Sequence, residues 1–358
     1  MVQMYYQPSL KMDLARLLRR RRIAGDEKQT LALSSSDPFK ARHPKILVAS
    51  LAFFALFPAC NHTSKTIAVI PRACGTVLWE PEHAGVAHAA ARIGMKVYWN
   101  APTREDDVAG QIDLLEKVVD RGYAGIILTP DQTLPLRSPI RRIASGKVPV
   151  VIVGTNLGIA STPKLSYVLN DDVAGGEMAA RRVGKILDGH GSIAILGINP
   201  QLTGITIRER SFEKTLEQDY PNVRVVARRL GYYSVPQDQQ VAEDILHRGE
   251  PIDAIVALSH TSTRGAFYAL VEFDRILAIK LVGFDQDLMP PVRTGGIDSV
   301  VMQSTYDMGR VAMETMEAEL QGRTVPGVTV VPPVLMTREN IDSPEIRRQL
   351  LANWWAAQ

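Results

Sequence analysis

Short apolar segments alternate with amphipathic helical segments along most of this chain. Gly125–Leu128 and Ala254–Leu258 are typical apolar segments. Between such segments apolar residues recur at helical spacing, as at Val108, Ile112 and Leu115. A strand that is apolar on both faces is typical of a parallel sheet covered by helices on both sides. The alternation therefore predicts an α/β fold built on parallel sheets.

The predicted strands are too numerous for one doubly wound sheet of ordinary size. We therefore predict two similar lobes, with the break near Ser166–Asn170. In open α/β sheets, ligands bind at the carboxyl ends of the strands, so two facing sheets would surround one cleft with loops. Two helix starts are also predicted, one from a capping-box pattern at Thr103–Asp106 and one from Ser138 and Pro139.

The positive charge of the chain is concentrated near its beginning. Residues 1–59 contain ten Lys or Arg and four acidic residues, a net charge of +6. Because the whole chain is +3, residues 60–358 carry −3. A mildly acidic globular part lacks the basic surface that nucleic-acid binding requires, so we expect no nucleic-acid partner.

Residues 1–59 are predicted to form a leader that contains a signal peptide. Ile46–Phe57 is an apolar run without a charged residue, and it follows Arg42 and Lys45. A basic flank, a short apolar stretch and a small residue are typical of a secretory signal. For residues 1–40 we predict no function, and a wrongly set start codon is an alternative. Residues 60–65 would form a tether.

The step from Ala59 to Cys60 resembles the lipidation site of bacterial lipoproteins. A lipid on Cys60 would hold the protein at a membrane surface, whereas plain signal cleavage nearby is the alternative. If Cys60 is lipidated, Cys74 is a lone thiol, and otherwise the two could pair.

Sequence motifs for catalysis, metal binding and cofactor binding are missing. The chain has neither a P-loop nor a GxSxG motif. Gly189–Ala194 precedes its strand, so its glycines cannot present a helix N-terminus to a dinucleotide. His83 and His88 are five residues apart, which does not suit a helical metal site, and we expect both at the surface. We therefore expect a binding protein without metal, cofactor or catalytic residues.

Several segments, in order, resemble the type I periplasmic sugar-binding proteins, the solute receptors of ABC importers related to ribose-binding protein. The resemblance covers residues 67 to about 340, and its motifs are Ile67–Pro71, Glu105–Ile112, Gly125–Pro130, Asn170–Gly176, Arg208–Arg210, Val282–Asp285, and Gln303 with Asp307–Gly309. It implies export, a three-strand hinge between the lobes and capture of a small carbohydrate, such as a monosaccharide, by hinge closure. It also implies a monomer that works with an ABC permease in the membrane.

The predicted lobes follow from this resemblance. The N-terminal lobe would take residues 66–168 and about 304–331, and the C-terminal lobe residues 169–303 and about 332–345. Residues 346–358 would form a tail.

The resemblance also implies a set of ligand-binding residues at strand ends. Trp79 and Tyr233 take aromatic positions, where a flat ring can cover the apolar face of a sugar. Asp131 and Asp285 can each accept from two adjacent hydroxyls, and the fork of Arg208 can donate to sugar oxygens. The remaining predicted contacts are Arg72, Thr76, Gln132, Ser259, His260 and Gln303.

Each of these residues also has a structural interpretation. Trp79 could belong to the core, Asp131 could cap a helix or turn, and Arg208 could pair with Glu209 or nearby acidic residues at the surface. Ser259 and His260 stand where the family usually has Asn-Asp, which leaves the identity of the sugar open, and His260 could be a solvated helix cap. The alternative functions are a LacI-like effector-binding regulator and a receptor that binds a non-sugar ligand and feeds a sensor.

Overall fold

The computed structural model describes residues 65–249, 251–286 and 288–357. The predicted leader, Cys60 and nearly all of the predicted tether lie outside the described residues. No helix within these ranges is both long enough and apolar enough to cross a membrane.

The first of two six-stranded sheets forms one lobe. Its strands are β1 (Thr66–Ile70), β2 (Lys96–Trp99), β3 (Gly125–Leu128), β4 (Val150–Gly154), β5 (Leu165–Asn170) and β11 (Val328–Val331). Their order is β11-β5-β4-β3-β1-β2, and every neighbouring pair is parallel.

The second sheet forms the other lobe. Its strands are β6 (His190–Ile198), β7 (Asn222–Leu230), β8 (Ala254–Ala257), β9 (Lys280–Phe284), β10 (Ser299–Met302) and β12 (Val334–Thr337). Their order is β12-β10-β9-β8-β6-β7. All neighbouring pairs are parallel except β10 and β12. The other strands of this sheet end at the cleft, whereas β12 begins there, so it runs antiparallel.

Helices cover both faces of each sheet. They are α1 (Glu80–Arg92), α2 (Val108–Asp120), α3 (Thr133–Ala144), α4 (Asp172–Ile186), α5 (Thr203–Asp219), α6 (Val235–His247), α7 (His260–Glu272), α8 (Met289–Thr294), α9 (Thr305–Leu320) and α10 (Pro344–Gln349). Alternate residues of β1 show the arrangement. Ile67 and Val69 pack against α1 and α9, whereas Ala68 and Ile70 pack against α2 and α3. In the second lobe α4 and α5 cover one face, and α6, α7 and α8 cover the other.

The chain crosses between the lobes three times, after β5, after β10 and between β11 and β12. The crossings lie side by side. The N–H of Asp171 donates to the carbonyl of Val331 at 3.1 Å, and the Ser304 hydroxyl donates to the carbonyl of Pro332 at 2.7 Å. The predicted fold, two parallel-sheet lobes joined by a three-strand hinge, is confirmed.

Both predicted helix starts are wrong. The cap of α2 is Asp107, whose carboxylate accepts from the N–H of Gly110 at 2.9 Å, so no capping box forms at Thr103–Asp106. Helix α3 begins at Thr133, and Pro139 lies buried inside it. The hydrogen bond that Pro139 cannot donate would have gone to the carbonyl of Pro135 in the first turn.

Candidate functional site

The candidate site is the cleft where the carboxyl ends of the two sheets face each other. Its larger cavity, about 400 Å³, lies between the loops after β2 and β3 and the loops after β6 and β7. It is lined by Glu105, Asp106, Asp131, Gln132, Ile198, Asn199, Pro200, Gln201, Leu202, Leu230, Gly231, Tyr232 and Tyr233. A smaller cavity of about 20 Å³ lies nearer the hinge and is lined by residues that include Arg72, Asn170, Asp172, Arg208, His260, Asp285 and Gln303. Ligand pockets of about 300–1,000 Å³ are usual, so the larger cavity has room for a small molecule.

A buried ion-pair network forms the side of the cleft that belongs to the second lobe. Arg208, on α5, is 5% exposed. Its Nε donates to Asp172 at 2.7 Å, its Nη1 donates to the carbonyl of Leu258 at 3.0 Å, and Nη1 lies 3.6 Å from Asp285 Oδ1. The guanidinium also lies over the ring of Phe284, 4.8 Å from its centroid. Arg208 is therefore a cleft residue, and the alternative of a surface pair with Glu209 is wrong.

The positive charge of Arg208 and the negative charges of Asp172 and Asp285 stabilise one another. Burial alone would lower the pKa of Arg208, but the nearby carboxylates of Asp172 and Asp285 raise it above its ordinary value. Burial raises the pKa of Asp172, and the charge of Arg208 partly offsets that rise. One cation thus contacts both buried carboxylates on this side of the cleft.

A chain of amides runs from the hinge to Asp285. The side chain of Asn170 donates to Gln303, and Gln303 in turn donates to Asp285 Oδ1. Asn170 ends β5 and Gln303 follows β10, so both lie on crossing segments. The orientation of Asp285 is thus coupled to the hinge.

Arg72 and Asp131 are brought together on the first lobe by a buried amide. Gln111, which is fully buried on α2, donates to the carbonyls of Pro71 and Thr129 at 3.1 and 3.0 Å. Its oxygen accepts from the N–H of Asp131 at 2.9 Å. One side chain therefore fixes the exit loops of β1 and β3. Arg72 Nε donates to the carbonyl of Pro130, at 2.9 Å, in the second of these loops.

The carboxylates of the first lobe are less well satisfied. Asp131 is 6% exposed, and its Oδ2 has no hydrogen-bond partner among the described residues. Burial raises the pKa of Asp131 to about 7, although the charge of Arg72 opposes the rise. Glu105 Oε1 accepts from Trp79 Nε1 at 2.7 Å, whereas its buried Oε2 has no partner in the described part of the chain.

His260 connects the two sides of the cleft. It is the first residue of α7 in the second lobe, and its Nε2 lies 3.6 Å from Glu105 Oε1 of the first lobe. Its Nδ1 lies 3.9 Å from Asp285 Oδ2, and the ring packs edge-on against Tyr233 at 6.1 Å between centroids. The cap of α7 is Ser259, so the alternative of His260 as a solvated helix cap is wrong, and His260 lines the smaller cavity.

Tyr233 and Asp285 adopt left-handed backbone conformations, with φ of 54° and 64°. Asp tolerates this region better than a bulky residue does, so Tyr233 is the more unusual of the two. Such strain is concentrated at ligand sites in many proteins. Burial raises the pKa of the Tyr233 hydroxyl, which therefore stays protonated and can donate a hydrogen bond.

Three of the predicted residues lie apart from the cavities. Thr76 caps a turn, with its hydroxyl accepting from the N–H of Trp79 at 3.3 Å. Ser259 is buried and forms a capping box with Ser262. Trp79 is buried against Ala73, Leu78 and Trp99, behind the cleft wall, and contacts the site through Glu105. The other eight predicted residues, namely Arg72, Asp131, Gln132, Arg208, Tyr233, His260, Asp285 and Gln303, line one of the two cavities.

Sequence reasoning missed Glu105, Asp172 and Asn170 as cleft residues, although all three lie within the quoted motifs. Each precedes or begins a helix, where a polar residue is expected as a cap or in the first turn. The expectation of surface histidines is wrong for His83, which is 8% exposed and stacks between Trp99 and Trp354 at 4.2 and 4.5 Å. A lone histidine gives no local signal for such long-range stacking.

The described residues contain no cluster of three or more His, Cys, Asp or Glu side chains that could hold a metal ion. Within these residues Cys74 is a free, half-buried thiol. What the cleft offers is a set of carboxylates, guanidiniums and amides, which suits the recognition of a polar molecule by hydrogen bonds.

Comparison with known proteins agrees with this geometry. Among curated relatives, the D-allose-binding periplasmic protein of Escherichia coli strain K12 is 23% identical over 269 residues, which cover 72% of this chain and 86% of the relative. The ribose import binding protein RbsB of Bacillus subtilis strain 168 is 23% identical over 257 residues, covering 71% of this chain and 81% of the relative.

Solved structures show the same fold. A carbohydrate transporter solute binding protein from Agrobacterium radiobacter, in complex with D-arabinose, superposes with a TM-score of 0.74 at 24% identity, covering 81% of this chain and 99% of that one. The model of the family described as periplasmic binding protein domain matches residues 67–324. With that match over most of its length, the chain belongs to the periplasmic binding protein domain family.

Proposed function

We propose that this protein is an exported receptor that captures a small carbohydrate in the cleft and delivers it to an ABC importer. The observation that carries the proposal is the convergence of polar side chains from both lobes. Arg208, Asp285 and His260 of the second lobe line the smaller cavity together with Arg72 of the first lobe. Asp131 of the first lobe lines the larger cavity together with Tyr233 of the second lobe. The names of the relatives, which include allose- and ribose-binding proteins, support a monosaccharide as the ligand.

Capture would proceed by hinge closure. A ligand that contacts both lobes binds the closed form more tightly than the open form, and this difference in affinity shifts the population toward closure. The amide chain from Asn170 through Gln303 to Asp285 would couple the hinge to the bound ligand. The closed form would then be recognised by a membrane permease.

Titration calorimetry of the purified protein with D-ribose, D-allose, D-arabinose and D-galactose tests this function. We expect at least one of these sugars to bind, and Asp285→Ala to abolish that binding while the variant keeps the circular dichroism spectrum of the wild type. Absence of binding by these four sugars and by amino sugars such as D-glucosamine and D-galactosamine would reject the carbohydrate assignment. Unchanged affinity in the variant would remove Asp285 from the site.

We further propose that the receptor is monomeric and that a lipid on Cys60 anchors it at the cell surface or in the periplasm. Cell fractionation tests the anchor. The wild-type protein is expected in the membrane fraction, and Cys60→Ala is expected to move it to the soluble fraction. A wild-type protein found only in the soluble fraction would contradict anchoring, and a dimer mass in light scattering would contradict the monomer.

A further inference from the structure

The first-lobe side of the cleft holds more negative charge than its own cations offset. Glu105 and Asp131 both line the larger cavity, and each has one buried carboxylate oxygen without a hydrogen-bond partner among the described residues. The Asp131 side chain is more than nine-tenths buried. An unpaired buried carboxylate is costly, and such groups are normally paired or hydrogen-bonded.

Arg72 is a cation near these carboxylates, and its single charge acts on both of them. Arg72 donates its Nε to the carbonyl of Pro130 and packs over Trp79, 5.5 Å from the ring centroid. In the described part of the chain, no Lys, Arg or His nitrogen lies within 4 Å of the Asp131 carboxylate, and Arg72 acts on it only from a greater distance. His260 approaches Glu105 at Oε1, the oxygen that already accepts from Trp79.

The buried guanidinium of the second lobe is already paired within that lobe. Arg208 is paired with Asp172 at 2.7 Å and lies 3.6 Å from Asp285. The loops that face Glu105 and Asp131 across the larger cavity carry Asn199, Gln201 and Tyr233, which are uncharged. The acidic Asp106 and Asp107 nearby add to the negative potential at Asp131.

We propose that the ligand is a sugar or related polyol that bears a protonated amino group, and that Glu105 and Asp131 bind this group in the larger cavity. The inference rests on the proposed carbohydrate function and names the substrate class within it. A hydroxyl could donate to the Asp131 carboxylate, but it would leave the negative charge in place. An ammonium donates and also offsets the charge, and such charge-assisted hydrogen bonds are about twice as strong as neutral ones.

Matched pairs of probes test the proposal by calorimetry at pH 7. The pairs are D-glucosamine with D-glucose, D-galactosamine with D-galactose, and scyllo-inosamine with scyllo-inositol. We expect at least one amino compound to bind at least about tenfold more tightly than its hydroxyl counterpart, a difference of about 1.4 kcal/mol. Equal or tighter binding of the hydroxyl member in every pair that binds would overturn the inference and leave the carbohydrate function standing. Absence of binding by all six probes and by the four monosaccharides named above would reject both.

Variants locate the amino group. Asp131→Asn and Glu105→Gln keep the shape of the cavity and remove its charge, so each should lose the amino preference while still binding the hydroxyl counterpart. Asp113→Asn, at an exposed position on α2 in the same lobe, is the matched control and should keep the preference. A preference for the amino compound that survives in both cavity variants would show that these carboxylates do not bind the amine.

Discussion

Asp131 and Asp285 lie on opposite sides of one cleft, and both are almost fully buried, with exposed fractions of 6% and 3%. Their surroundings differ. Asp285 lies 3.6 Å from Arg208 and accepts from Gln303, whereas Asp131 has an unpartnered oxygen and no cation within 4 Å among the described residues. The second lobe thus stabilises its own buried carboxylate, and the first lobe carries a charge that the proposed ligand would offset. Under this proposal, the first lobe is the side that selects the chemistry of the ligand.

The largest effect is expected from breaking the network of the second lobe. Arg208→Met would leave Asp172 and Asp285 buried without their shared cation, and loss of one partner of a buried pair costs about 3–5 kcal/mol. Chemical denaturation should show a fall of this size in the free energy of unfolding. The control is Arg181→Met, which removes an exposed pair with Glu177 and should cost less than about 1 kcal/mol. Similar losses in both variants would contradict a special role for the network.

In the ligand-free protein, Asp131→Asn is expected to raise the free energy of unfolding. The pKa of Asp131 is about 7 when folded, against an ordinary value of 3.8, so the folded protein binds the extra proton between these pH values. The stability of the wild type therefore falls as pH rises through this window. The variant does not titrate there and should be more stable at pH 8 by about 4 kcal/mol, since each pKa unit corresponds to about 1.4 kcal/mol.

This gain should shrink as the pH is lowered from 7 toward 4, because the wild-type carboxyl becomes neutral too. Denaturation curves of both proteins at pH 8 and pH 5 measure the difference. If the variant were less stable than the wild type at pH 8, other groups of the protein would already offset the charge of Asp131.

The smallest change in the free energy of unfolding is expected for Asp285→Asn, the corresponding substitution in the second lobe. Asp285→Asn removes a charge that Arg208 and Gln303 both contact, and hydrogen bonds to charged groups contribute about 1.5–3 kcal/mol. The variant should therefore be less stable by about 2 kcal/mol at pH 8. If Asp285→Asn were more stable than the wild type at pH 8, the predicted difference between Asp131 and Asp285 would be contradicted.

The sequence predicts the fold well where burial is complete. Strands such as β3 and β8 are buried at every position, so their apolar runs are unambiguous. Strand β11 is half-exposed and β12 follows it after two prolines, and neither was predicted from the pattern. A partly exposed strand at the edge of a sheet lacks the continuous apolar run on which the prediction depends.

The candidate site was predicted where residues directly follow strands, as with Asp131 after β3 and Asp285 after β9. Tyr233 was also placed in the cleft, although its loop has no regular pattern. Glu105 and Asp172 were missed because a carboxylate near a helix start is usually a cap or a first-turn residue. Their partners, Trp79 and Arg208, are 26 and 36 residues away along the chain. Pairing over such distances depends on how the sheets pack, and local sequence does not encode it.

The most direct test of the account is the affinity of the two Asp→Asn variants for one probe. The probe is whichever sugar or amino sugar named above binds the wild type most tightly, and calorimetry at pH 7 is the measurement. If one ligand is held between the two lobes, Asp131→Asn and Asp285→Asn should each weaken binding by at least about tenfold, although their stabilities change in opposite directions. Wild-type affinity in either variant would contradict a ligand bound by both sides of the cleft.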